Sequence, residues 1–292
     1  MITVTKLYVR SFSIDYLDLF WEIADTTEEL EGYDFYVLRS VDGAAGPFSV
    51  IAGPFYNTYS FRDPGVHQFH RWRNYYYKIR SVLRETGETQ EFGPVWLEAE
   101  PDLLGLEFRR RESLLLQEFT GRVAFLFPAL TFGQRCSNCY DLGPKGNTIG
   151  RATHQNCATC FDTTYVGGFA KPIRFYIQID PSPKSVQRTD FEEHQFVMTT
   201  ARTSAFPPIK PKDMIVEAEN KRWLVKDVPV TEKLRSVVRQ EMKLWALPKD
   251  DIKFKVPVNF DVSSSFSPAR SMTRPMCPQA DFVSPIKDLL EE

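Results

Sequence analysis

The 292-residue sequence is poor in the side chains that do chemistry, with five cysteines and four histidines. It carries no Gly-x-Ser-x-Gly, His-Glu-x-x-His, phosphate-loop or Gly-x-Gly-x-x-Gly motif. An active site needs a converging acid, base, nucleophile or open metal position. No such set stands at recognisable spacing, so the expectation is a protein that is not an enzyme. Long apolar runs are missing as well. The longest, from Val123 to Leu130, is far shorter than the ~20 residues that span a bilayer, and no membrane partner is expected. The opening MITVTKLYVRSF lacks the cationic flank, apolar block and small-residue site of a signal peptide, so synthesis in the cytoplasm is expected. No charge sign dominates: 36 Lys and Arg stand against 38 Asp and Glu, for a net charge of -2. A dedicated DNA-binding protein would present a strongly basic face.

What is present is alternation. Val4, Leu7 and Val9, then Leu17, Leu19, Trp21 and Ile23, then Phe35, Val37, Leu38 and Val41 mark successive short strands. Turn chemistry at Asp42-Gly43, Gly53-Pro54, Asp63-Pro64-Gly65 and Glu85-Thr86-Gly87-Glu88 leaves room for about seven strands before Pro101. That count predicts a β-sandwich over residues 1–100. Trp21 sits in a second strand, LDLFWEIAD, and the pattern Tyr75-x-Tyr77-x-Ile79-x-Ser81 runs through a sixth, NYYYKIRSV. These features resemble a fibronectin type III module. The resemblance implies a core tryptophan at Trp21 and a corner tyrosine at Tyr75 whose hydroxyl bonds back to a neighbouring connection. His67 and His70, with Arg71 and Arg73, read as solvated loop residues that could touch a partner.

After Pro101 the apolar period changes. Leu103, Leu104, Leu106 and Phe108, then Leu114, Leu115, Leu116 and Phe119 predict a linker helix over 102–120, capped by Asp102 and ending at Gly121. The linker segment as a whole is 101–121. Arg109-Arg110-Arg111 in its middle reads as a solvated face, the alternative being contact with an acidic neighbour or a nucleic-acid backbone. Two apolar ends around a charged centre also suit a helix wedged between subunits.

Cys136, Cys139, Cys157 and Cys160 form Cys-x2-Cys-x17-Cys-x2-Cys. Each pair spans a tight turn that aims two sulfurs at one point, and four thiolates close a tetrahedron. Such a zinc ribbon, placed with its flanking strands at 122–172, would hold one structural zinc per chain. With four sulfur ligands no position is left for water or substrate. An iron–sulfur cluster is the alternative occupant, and His154 is a spare ligand that two complete pairs make unnecessary. The intervening loop has only Lys145 and Arg151 as basic residues, so the site reads as a staple more than as a nucleic-acid grip.

The C-terminal part alternates again over 173–260. Phe175, Ile177 and Ile179 mark one strand, Phe196 to Thr200 another, and Met214–Val216 with Arg222–Val228 a hairpin. Thr231 to Leu244 fits either a helix or a long strand. Asp251 to Val258 reads as a closing strand. The fold class is therefore mainly β and multidomain, ending in a small β domain or barrel. Residues 261–292 turn to Ser, Pro and Arg and read as an extended or disordered tail. Cys277, in that tail, is a free thiol by default.

Cys157-Ala158-Thr159-Cys160-Phe161-Asp162-Thr163-Thr164-Tyr165-Val166-Gly167-Gly168-Phe169 and on to Ile173 resembles a Cys-x-x-Cys segment of tailed-bacteriophage structural proteins. This chain departs from that pattern by carrying Asp162 and Thr164 in place of its first glycines. The order of the later β elements, from Lys210–Ile215 through Arg222–Val225 to Asp251–Val258, resembles that of phage head-completion and tail-joining domains. The resemblance implies a virion location at the neck, as a head–tail connector ring. Its partners would be other copies of itself, the portal or connector, tail proteins, and DNA held in the channel without sequence specificity. A baseplate or tail-completion component is one alternative reading; a zinc-ribbon factor that binds nucleic acid is another.

Overall fold

The computed structural model describes residues 2–13, 16–66, 74–97, 102–142, 148–152, 156–180, 184–187, 195–233 and 236–258. His67, His70, Arg71, Arg73, His154, Cys277 and the tail 261–292 lie outside the described residues. Among the described residues no helix is long and apolar enough to cross a membrane.

Seven strands precede residue 97: β1 (Val4–Arg10), β2 (Leu17–Ile23), β3 (Tyr33–Ser40), β4 (Ser49–Phe55), β5 (Ser60–Asp63), β6 (Tyr76–Leu83) and β7 (Thr89–Val95). They form two antiparallel sheets, β1-β2-β5 and β4-β3-β6-β7. Their inward residues alternate as a pleated strand requires, and both sheets share one core that includes Val9, Leu19, Trp21, Val37, Tyr77 and Ile79. Trp21 is buried as expected. The corner tyrosine is a correction, because the buried one is Tyr77, not Tyr75. Tyr77 lies inside β6 and points inward, and its hydroxyl donates to Asp63 Oδ2 at 2.9 Å. Burial first, and then the Asp63 carboxylate, hold that hydroxyl far above its ordinary pKa. Tyr75 precedes the strand and stays at the rim, with the Arg39 guanidinium 5.6 Å from its ring centre.

Helix α1 (Leu103–Leu115) continues through a π-helical turn, Leu116–Thr120. The Asp102 side chain accepts from the Leu104 N–H at 3.1 Å and caps the start. Gly121 ends the helix where a Cβ would lie 2.4 Å from the Leu116 carbonyl oxygen. The arginine run divides. Arg110 and Arg111 both pair with Glu107 on the solvated side, whereas Arg109 turns inward and donates to the Val237 and Ser11 carbonyls at 2.7 and 2.6 Å.

The remaining strands are β8 (Arg122–Phe127), β9 (Tyr140–Leu142), β10 (Thr148–Ala152), β11 (Ile173–Ile179), β12 (Lys184–Gln187), β13 (Gln195–Ser204), β14 (Met214–Glu217), β15 (Lys221–Asp227), β16 (Val230–Lys233) and β17 (Ser236–Ala246). Six of them run β13-β11-β8-β14-β15-β17, and β17 pairs back onto β13 from Met198↔Trp245 to Ser204↔Arg239. This closes a six-stranded barrel, whose edges are thereby removed. Its interior is filled by Leu126, Phe175, Ile177, Ile215, Val225, Met242 and Leu244.

One open expectation is resolved here and two change. The described residues of Thr231 to Leu244 are strand, not helix, with β16 paired antiparallel to β17. Strand β8, grouped by sequence with the cysteine segment, hydrogen-bonds to β11 and β14 as a barrel stave. Asp251 to Val258 is not a closing strand. The Asp251 side chain accepts from the Lys253 N–H at 2.8 Å and starts a 3-10 turn, Ile252–Lys255. That turn lays Phe254 and Val256 over the outer face of β8 and β14. Closure by β17 leaves no barrel edge for another strand to join.

Candidate metal centre

The four cysteine sulfurs lie within 4.8 Å of one another. Two cross-pair separations are 3.9 Å, Cys136 to Cys157, and 3.6 Å, Cys139 to Cys160. Four thiolates around an ion at about 2.3 Å would stand about 3.8 Å apart. The separations fit that tetrahedron and are too long for disulfides. Cys136, Cys139 and Cys160 are buried, and Cys157 is half-buried.

The backbone explains the convergence. Each pair wraps a turn, with Cys139 N–H donating to Cys136 O at 3.2 Å and Phe161 N–H donating to Cys157 O at 2.9 Å. The second turn is bent further by three departures from ordinary backbone within four residues: Phe161, Asp162 and Thr164 all have positive φ, at 48°, 61° and 72°. Asp162 and Thr164 thus hold a left-handed turn without the glycine that favours it. Asp162 offsets its cost in part, since its Oδ1 accepts from the Cys157 N–H at 3.1 Å. Gly168, at φ 71°, has no such freedom, because a Cβ there would lie 2.8 Å from the Cys160 carbonyl oxygen.

The thiols are electrostatically uneven. Burial, followed by the neighbouring thiols, pushes Cys139 far up. Burial also acts against ionising Cys157, but hydrogen bonds from the Cys160 and Thr159 backbone and from the Cys139 thiol outweigh it and bring Cys157 down to about 6. One thiolate therefore forms readily, and its neighbours then resist ionising beside it. A divalent cation at the centre reverses that resistance, so the cluster can hold a metal ion.

No protein-family model matches this chain, and no curated protein matches it.

The cysteine segment also touches both β units. On the sandwich side, the Arg135 N–H donates to Thr26 O at 2.9 Å, and the Thr26 N–H donates to Gly133 O at 3.0 Å. The Arg135 guanidinium pairs with Asp25 and stands 4.2 Å over the Tyr165 ring. Tyr165 and Leu130 are themselves buried in the sandwich core. On the barrel side, Phe169 joins the outer apolar cluster, and Asp162 reaches Lys253 at 3.6 Å. Sequence reasoning singled out the four cysteines but not Asp25, Arg135 or Tyr165. Neither Asp25 nor Arg135 stands in a motif, and their roles arise only when segments over a hundred residues apart meet.

Proposed function

We propose that the protein is a non-catalytic assembly component, and that copies of it associate into a ring through the outer face of α1. The observation that carries this reading is an apolar helix face left open to solvent. Leu104 is 54% exposed, Leu115 36% and Phe119 73%, and helical spacing aligns them with Phe108 along one stripe. Exposed apolar surface at the two ends of one helix face, around the charged Arg110 and Arg111 centre, suits an interface. Glu107, Arg110 and Arg111 run beside the stripe and suit the polar rim of such a contact.

The cysteine cluster supplies the second property an assembly part needs, which is rigidity. Zinc is the ion we assign to it, one per chain, because four sulfur ligands in tetrahedral spacing suit it. The ion would fix a segment poor in apolar residues, and that segment carries contacts to both the sandwich and the barrel. The first seven strands, in sheets of three and four, support a fibronectin type III-like module that projects as a contact or decorating domain. The barrel would carry contacts within the ring.

We place this connector in a tailed-phage virion, at the neck between portal and tail. Support comes from the likeness of Cys157–Ile173 to phage structural proteins. The left-handed backbone at Asp162 and Thr164, where that pattern has glycines, adds to it. Size-exclusion chromatography with light scattering tests the assembly reading: the wild type runs as a multimer, and the paired substitution Leu104→Glu with Phe119→Glu runs as a folded monomer. A wild type that stays monomeric at high concentration refutes it. Mass spectrometry of purified virions tests the location.

A further inference from the structure

The sandwich, α1 and the barrel meet around a cavity of about 270 Å³. Arg62 of β5, Arg109 of α1 and Arg174 of β11 all line it, together with Ser113, Gln117 and Ser204, and no aspartate or glutamate does. Three guanidiniums from three elements on one cavity need compensating negative charge. Arg62 has it, pairing with Asp18 at 2.8 Å, and its Cζ lies 3.7 and 4.1 Å from the centres of the Tyr16 and Phe206 rings.

Arg109 and Arg174 have no carboxylate partner among the described residues. Arg109 is half-buried, and its Nε and Nη1 are anchored on the Val237 and Ser11 carbonyls. Two carbonyls take two of the five guanidinium N–H donors and leave its charge uncancelled. Burial alone pulls its pKa down, with no acid acting against that. The chain thus fixes a half-buried cation in place with neutral acceptors, beside a second cation that is free to reach the same space.

We propose that this junction is a binding site for a phosphate-class oxyanion, held by Arg109 and Arg174 and flanked by Arg62, with Ser113 and Gln117 as neutral donors. The guanidinium fork matches tetrahedral oxyanions through paired N–H···O bonds. A phosphate there would cancel the uncompensated charge and tie the sandwich, helix and barrel to one ligand. The inference stands apart from the assembly reading, since it concerns the inner side of α1 and not its exposed stripe.

Isothermal titration of the full chain tests it, with inorganic phosphate in one arm and a nucleoside monophosphate in the other, in chloride buffer at constant ionic strength. Saturable binding of either ligand supports the site, and the tighter ligand tells whether the phosphate comes free or as an ester. Arg174→Ala is the decisive variant, because Arg174 is exposed and its loss leaves no buried group unpaired. It is expected to weaken binding at least about tenfold with an unchanged melting temperature in chloride. Absence of saturable binding of both ligands below roughly 10 mM, or equal binding by the wild type and Arg174→Ala, overturns the proposal.

Discussion

Arg135, the residue before Cys136, pairs its guanidinium with Asp25, just beyond β2 of the sandwich. The cysteine cluster and the sandwich are therefore covalent neighbours of one ion pair, and order in one is transmitted to the other. We expect one zinc per chain by elemental analysis. Chelation, or Cys136→Ser, should lower the thermal midpoint and release the Thr26 and Arg135 amides to hydrogen exchange, because structural zinc binding is folding energy. A folded metal-free protein with those amides still protected would show that the thiols act without an ion.

Asp63 is the polar hub of the sandwich. It accepts from the Tyr77 hydroxyl at 2.9 Å, the Arg39 guanidinium at 2.8 Å and the Gly65 N–H at 2.9 Å. Tyr77→Phe removes one donor and leaves the carboxylate two others, so it should cost about 1 kcal/mol. Asp63→Ala strands a buried hydroxyl and a part-buried guanidinium together and should cost at least about 3 kcal/mol. Urea midpoints of the two variants check the order. A loss for Asp63→Ala no larger than that for Tyr77→Phe would mean that the hub is not cooperative.

The contrast between Tyr75 and Tyr77 shows where the sequence stops being readable. Period two located β6 and the core tryptophan Trp21, because alternation is a local property of a strand. It could not tell which tyrosine turned inward, since Tyr75 and Tyr77 share one parity and only the point where β6 begins separates them. The four cysteines were legible because ligand spacing is itself local. Barrel closure was not, because β13 and β17 pair across about forty residues and nothing local marks β8 as their fellow stave. Asp251 to Val258 misled for a related reason: Ile252, Phe254 and Val256 alternate like a strand, but the Asp251 cap winds them into a turn.

Thr164 gives a sharper test of the turn after the cysteines. It is β-branched and sits at φ 72°, a conformation that costs such a side chain of order 1 kcal/mol or more. Among the described residues its hydroxyl has one side-chain partner, accepting a long bond from Arg135 Nη1 at 3.4 Å. Thr164→Gly should therefore hold the metal unchanged and raise stability by about 0.5–1 kcal/mol. Asp162→Gly relieves similar strain but loses the bond to the Cys157 N–H, so it should be close to neutral. A destabilised Thr164→Gly would mean that the threonine makes a contact worth more than its backbone cost.

Asp213 makes the stability of the barrel depend on pH in the direction opposite to most carboxylates. It is 3% exposed and accepts from the Ala129 and Lys210 N–H groups, both at 2.8 Å. Burial outweighs those donors and raises its carboxyl to about 7. Asp18 moves the same way, to about 6, with burial again outweighing the Arg62 charge. Because the folded value lies above the unfolded one of about 4, the folded chain binds more protons between them. The Asp213 contribution is therefore complete below about pH 4 and is lost as pH rises through about 7. Asp213→Asn keeps the shape of the protonated acid and does not titrate. The stability advantage of the wild type over Asp213→Asn, read from urea midpoints, should shrink between about pH 4 and about pH 7 and level off above that. An advantage that grows over that range would mean that the two backbone donors hold the carboxylate ionised, and that burial is the weaker of the two forces on it.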